Sequence, residues 1–437
     1  MFESAARFQG FDDQRLPDSA PISNVDRFEN GTTFPMGWGT CQLEVPGFDF
    51  SPILNWIEID SGLKGLEREY RTQLISAPHR SWFGLSPQVA FLPKNNTSDR
   101  QNTRDYRVFL AAGAEGRERG GPVSLLYFVS DVLWADKNNK GLEYGNFKYT
   151  LLEVRKALSL GIVVLPNTNP DGLITDQLRH NYWSKSIRPQ MMSNNLFPSL
   201  RGFGVNIDRN YNFAWDYRRF FSENSGDVAS DVPAHELYHG PNPFSESEPK
   251  NVAWVFDTHP KISWFLDIHA KGRNILHPWT HVASSQDSDL SQNFRNPEFD
   301  GKRGDPAVRY EEYCRHEDLR ELIQVARDVA SKMANVTGDK FHDPESLRRK
   351  DVQLLGVSSG SAVDWAYSRH IVDESLSKVR SFKFNLGATE EEAEEVGLKG
   401  GCPHYPTRQQ YNDRLRESAV GYMTFLLRVF EKERERS

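Results

Sequence analysis

The stretch Val108-Phe109-Leu110-Ala111-Ala112-Gly113-Ala114-Glu115-Gly116-Arg117-Glu118-Arg119-Gly120-Gly121-Pro122 decides how this chain is read. Five apolar residues closed by a glycine predict a buried strand, and the apolar run from Val123 to Trp134 predicts a helix directly after it. Side chains at the carboxyl end of such a strand project into the crevice where open α/β sheets hold ligands. Glu115 and Glu118, three apart on a first helical turn, share a face and can hold one cation. Taken alone, the same residues also read as a solvated loop whose glutamates and arginines pair among themselves.

Outward from this stretch the pattern alternates. Leu151 to Leu158 predicts a helix, Ile162-Val163-Val164-Leu165 a strand, Trp264 to Ile268 a strand, Leu319 to Met333 a helix, and Phe382-Lys383-Phe384 a strand. Such alternation predicts an α/β fold with a mixed, twisted central sheet and helices on both faces. A last amphipathic helix is expected over about 411–433, with Leu415, Ala419, Tyr422, Met423, Leu426 and Phe430 forming a core stripe. Residues 1–54, rich in Pro, Gly, Phe and Asp without periodicity, read as an irregular arm ahead of a single unit over 55–437. Residues 283–312 read as a polar surface insertion.

Composition narrows the partners. The chain has 437 residues and a formal charge of -7, with acids and bases spread along it, so no field attracts nucleic acid or an anionic membrane. No apolar run approaches the ~20 residues that span a bilayer, and the amino terminus lacks a signal-peptide pattern. Cys41, Cys314 and Cys402 lie far apart without metal or redox spacing. They read as free thiols, and the expected location is cytoplasmic.

Two more segments can carry chemistry. His269 ends the strand begun at Trp264, where a histidine is either a hydrogen-bonded structural residue or a ligand. In Gly204-Val205-Asn206-Ile207-Asp208-Arg209-Asn210, Arg209 can fork onto a carboxylate, or the loop can be an Asx-type turn bonded to itself. The order of these pieces, together with Asn169-Pro170-Asp171-Gly172, Leu237-Tyr238-His239-Gly240, Ser245-Glu246-Ser247-Glu248-Pro249 and Ser359-Gly360-Ser361-Ala362-Val363-Asp364-Trp365, resembles the M14 family of zinc carboxypeptidases from about residue 55 to 430.

The resemblance implies Glu118 and His269 as zinc ligands, Arg117 as a substrate-binding arginine, Arg209 as the anchor of a terminal carboxylate, and Val363 as the residue setting side-chain preference. It departs from the family where chemistry is done. Glu115 stands at the first histidine ligand, and a carboxylate there still binds zinc at about 2.0–2.2 Å. Two carboxylates and a neutral imidazole cancel the ion's charge, so bound water becomes a poorer acid and a harder metal such as manganese becomes acceptable. Asn385 stands where the general-base glutamate is expected, and an amide cannot take the proton. Glu390, Glu391 and Glu392 lie beyond that strand and are not assigned its role.

Further departures are Ser184 at an arginine position, with Lys185 or Arg188 as replacements only if the loop bends, and Asp208 in place of an asparagine beside Arg209. The tyrosine expected ahead of Ser359 is missing. The expected function is a metal-dependent hydrolase that cleaves a terminal amide of a peptide or amino-acid conjugate, with Glu115, Glu118 and His269 as the metal set. Two alternatives stand beside it: an impaired descendant that binds a peptide or metabolite, and an altered biosynthetic chemistry with Glu115 as base.

Overall fold

The computed structural model describes residues 19–44, 47–93, 105–179, 182–188, 204–282, 285–338, 357–388 and 404–436. Its helices are α1 (Trp38–Glu44), α2 (Trp56–Tyr70), α3 (Gly120–Lys137), α4 (Leu151–Ser159), α5 (Pro170–Arg179), α6 (Tyr217–Phe220), α7 (Ser247–Thr258), α8 (His316–Thr337), α9 (Ala362–Val372) and α10 (Arg408–Arg436). The strands are β1 (Gln73–Ser76), β2 (Gln88–Phe91), β3 (Val108–Ala112), β4 (Leu142–Tyr144), β5 (Phe147–Tyr149), β6 (Ile162–Leu165), β7 (Trp264–His269), β8 (Asn274–Leu276), β9 (Ser285–Gln286), β10 (Glu312–Tyr313) and β11 (Arg380–Asn385). Asn55 and Thr150 start α2 and α4 with capping boxes completed by Glu58 and Glu153.

Seven strands form one sheet in the order β1-β2-β6-β3-β7-β11-β8. The central pairs β6/β3, β3/β7 and β7/β11 are parallel, while β1/β2, β2/β6 and β11/β8 are antiparallel. The central strands are buried on both faces and therefore read as continuous apolar runs. Alternation along β7 assigns the faces. Trp264 stacks on Phe382 and meets Phe425 of α10, whereas the next residue, Phe265, meets Phe109 and Phe256 of α7. With a period of two, Asp267 and His269 share the α7 face, and so do Lys383 and Asn385 on β11.

Within the stretch expected to be an irregular arm, residues 38–44 form α1. α1 docks onto α3, where Asp131 accepts hydrogen bonds from the Gly39 amide at 2.9 Å, the Thr40 amide at 2.8 Å, the Thr40 hydroxyl at 2.7 Å and the Tyr144 hydroxyl at 3.0 Å. A short helix held by an acceptor from a distant helix leaves no local periodicity to read. The polar insertion is likewise tied down. His281, fully buried, bridges Glu312 and Asp364, and buried Arg303 pairs with Asp300 and bonds backbone carbonyls. Of the cysteines, Cys41 and Cys314 are buried, and Cys402 lies outside the described residues. No helix among the described residues is long and apolar enough to cross a membrane.

Burial pushes the Asp131 carboxyl up to about 6 despite its four donors. Asp131→Ala strands those donors, so urea unfolding should show a loss of about 2–4 kcal/mol of stability.

Candidate metal centre and ligand cleft

The loop between β3 and α3 is built to present acids. Gly113 leaves the strand with φ +73°, a left-handed conformation that favours glycine. Gly116 then passes against the start of α5 so closely that a Cβ there would lie 2.2 Å from the Gly172 carbonyl carbon. Asn169 fixes this approach. Its side-chain amide donates to the Ala114 carbonyl at 3.0 Å and the Lys185 carbonyl at 3.1 Å, and its oxygen accepts from the Gly172 amide at 2.9 Å. The Asn-Pro-Asp-Gly segment is therefore a brace for the acid-bearing loop. The Glu118 amide donates to the Glu115 carbonyl, so both acids lie on one tight turn.

Glu115, Glu118 and His269 each offer a ligand atom, and these atoms lie within 4.8 Å of one another. His269 Nδ1 is 3.0 Å from Glu118 Oε2, and its Nε2 is 3.1 Å from Asp267 Oδ2. Glu118 Oε2 is buried and, despite its nearness to Nδ1, makes no well-aligned hydrogen bond. A carboxylate pair with an imidazole is an ordinary zinc or manganese donor set. The residues therefore fit a divalent metal.

The charges around the cluster are arranged to keep it acidic. Burial opposes ionisation of Glu115, but the Arg117 guanidinium, with His404 and His269, holds its carboxyl down at about 2. Burial pushes Glu118 up, with only partial relief from His269. Burial also works against the His269 cation, yet Glu118 and Asp267 hold the imidazole well above its usual range. A bound cation would take over the role of that proton.

Arg117 is part of this arrangement and is not a free anchor. Its Nε and Nη2 bond Glu115 Oε2 at 2.9 and 2.8 Å, and its Nη1 reaches Glu236 Oε1 at 2.9 Å. Ser184 donates to the same Glu236 oxygen at 2.6 Å. Neither possible stand-in for the arginine at Ser184 faces the cluster: Lys185 Nζ donates to the Pro233 and His235 carbonyls, and Arg188 pairs with Glu246.

Arg209 donates through Nε to the Val228 carbonyl at 2.9 Å and through Nη1 to the Asp208 carbonyl at 2.9 Å. Asp208 pairs with Lys383. Val363 is fully buried at the start of α9. Asn385 lies opposite His269 in register and donates to Asn274 Oδ1 at 2.6 Å. Glu390, Glu391 and Glu392 lie outside the described residues, as does most of the segment ahead of Ser359.

Sequence reasoning missed Asp267, Lys383, Glu236 and His404. The first two carried a signal: each is a polar residue inside an apolar strand, two positions before a candidate site residue. Glu236 and His404 carried none. Burial and the nearby Arg117 pull His404 down to about 3, and its Nδ1 has no hydrogen-bond partner.

The profile of a family described as zinc carboxypeptidase matches residues 69–398. Carboxypeptidase A4 of Mus musculus is 27% identical over 210 residues, covering 48% of this chain and 38% of the relative. The inactive metallocarboxypeptidase ECM14 of Arthroderma otae is 24% identical over 295 residues, covering 66% of this chain and 42% of the relative. The match thus spans well under half the length of these relatives. Bovine thrombin-activatable fibrinolysis inhibitor, solved with a tick carboxypeptidase inhibitor, superposes with a TM-score of 0.57 at 18% identity, covering 87% of this chain and 97% of that one. Carboxypeptidase A of Helicoverpa armigera gives a TM-score of 0.55 at 18% identity, covering 86% and 74%. These two likenesses establish the shared fold.

Gly116→Ala forces the acid-bearing loop off the Gly172 backbone and should lower stability by about 1–3 kcal/mol in thermal or urea unfolding. An unchanged unfolding midpoint would show that the loop is not braced there.

Proposed function

Because the chain belongs to the zinc carboxypeptidase family, we propose that it is a metal-dependent hydrolase acting on a terminal amide bond of a peptide or amino-acid conjugate. The observation that carries this reading is the convergence of Glu115, Glu118 and His269 within 4.8 Å. Those three residues would hold zinc, with manganese as the harder alternative. A metal so held supplies Lewis acidity toward a carbonyl and an activated water. The residues of the chain do the remaining work. Arg117 holds Glu115 ionised and fixes its orientation, while Asp267 holds His269 by its Nε2 so that Nδ1 faces Glu118.

Asn385 supplies no proton acceptor, so turnover should fall below that of a site with a general base by about 10²–10⁴-fold. That amide favours a second reading, a cleft that binds its ligand without cleaving it, and one relative is itself named inactive.

Elemental analysis after zinc or manganese loading should find one ion per chain, with His269→Ala losing it. A chain that takes up neither metal would sink both the hydrolase and the metal assignment. Turnover across a panel of acyl amino acids, short peptides and the carboxamides of both, abolished by Glu118→Gln, would separate the two readings. The paired variant Glu115→His with Asn385→Glu restores a base while conserving charge, and kcat/KM should rise by about 10²-fold or more.

A further inference from the structure

Two charged side chains stand in apolar strands beside the cluster, and the hydrolytic reading assigns neither a part in binding ligand. Lys383 and Asp267 face each other in register, one rung before the Asn385 and His269 pair, on the same face of the sheet. Lys383 Nζ bonds Asp208 Oδ2, with the lysine side chain 11% exposed and the aspartate 7%. Ligand atoms of Asp208, Asp267 and His269 lie within 4.8 Å of one another. The ammonium is thus set against a second acidic group that shares His269 with the metal cluster.

That placement bears on the end of a ligand. Arg209, the residue expected to anchor a terminal carboxylate, has two of its nitrogens on backbone carbonyls, and among the described residues the carboxylate nearest to it is Asp208, with Nη1 3.5 Å from Oδ2. An incoming carboxylate would have to compete with Asp208 for both Arg209 and Lys383. Because Asp208 and Asp267 together answer the charges of Lys383 and Arg209, such a ligand would gain no net attraction in return for its desolvation.

We propose that Lys383 is a specificity-determining residue: its ion pair with Asp208 closes the position beside Arg209 to free carboxylates, so the cleft selects amino-acid conjugates whose terminal group is neutral. This rests on the hydrolytic reading for its substrate class, while the pair itself is independent of any metal. Either partner alone would be left as an uncompensated buried charge, so the informative variant removes both, Asp208→Asn with Lys383→Thr.

Calorimetry with N-acetyl-L-phenylalanine and N-acetyl-L-phenylalanine amide, on zinc-loaded and metal-free protein, reads the preference directly. The unaltered protein should bind the amide more tightly than the acid. The double variant should bind the acid at least about tenfold tighter than the unaltered protein does. Binding of the acid as tightly as the amide or more tightly in the unaltered protein, or no gain of acid binding in a folded double variant, overturns the proposal. Because circular dichroism reports folding and zinc content is read in parallel, failure of metal uptake with a gained acid preference would sink the hydrolytic reading and leave the Lys383 assignment standing.

Discussion

The approach of Glu118 Oε2 to His269 Nδ1, 3.0 Å apart, joins the loop after β3 to the end of the neighbouring strand β7, and the rest of the cleft is arranged around it. Parallel pairing of β3 and β7, with Ala112 opposite Ile268, brings both strand ends to the same rim of the sheet. The loop must then fold back without a side chain at Gly116, and Asn169 must hold the start of α5 against it. Strand register thus sets where the imidazole is, and the glycine and asparagine set where the acids are. Neither alone makes a site.

Charge compensation is the second constraint, and it follows from the first. Bringing Glu118 and His269 to a buried rim beside Asp267 and Asp208 collects carboxylates where water cannot solvate them. Each is answered locally: Arg117 for Glu115, His269 for Glu118 and Asp267, Lys383 for Asp208. Farther out, buried Arg119 answers Asp176 at 2.7 Å and lies 3.5 Å from the ring centroid of Tyr405. Such pairs contribute little net stability, but removing one partner is costly. Substitutions around the cluster therefore mix folding with function, and charge-conserving pairs of changes separate the two.

What the sequence disclosed, and what it hid, divides along the same line. The central strands and the long helices were legible because burial on two faces writes an unbroken apolar run, as in Val108–Ala112, and burial on one stripe writes a period of 3.6. The acids and the imidazole were legible through their position at strand ends. α1 was hidden because a buried acceptor on α3 organises it, not its own pattern. The engagement of Arg117 with Glu236 and of Arg209 with backbone carbonyls was hidden for a related reason: loop geometry decides which donors remain available, and it is not written in residue types. Lys383 lay in between, since a lysine inside an apolar strand signals a buried partner without naming it.

The two departures at the chemical centre are linked by charge. Relative to the pattern this chain resembles, Glu115 in place of a histidine adds one negative charge to the cluster, and Asn385 in place of a glutamate removes one. Asn385 sits opposite His269 in register, so both changes act on the same small volume. A glutamate at 385 beside Glu115, Glu118 and Asp267 would bury a further like charge in a site where burial already pushes Glu118 up. Once Glu115 is present, an amide at 385 is the substitution that keeps the total unchanged. The amide at 385 is thereby tied to the acid at 115, and the two are best understood as one electrostatic exchange.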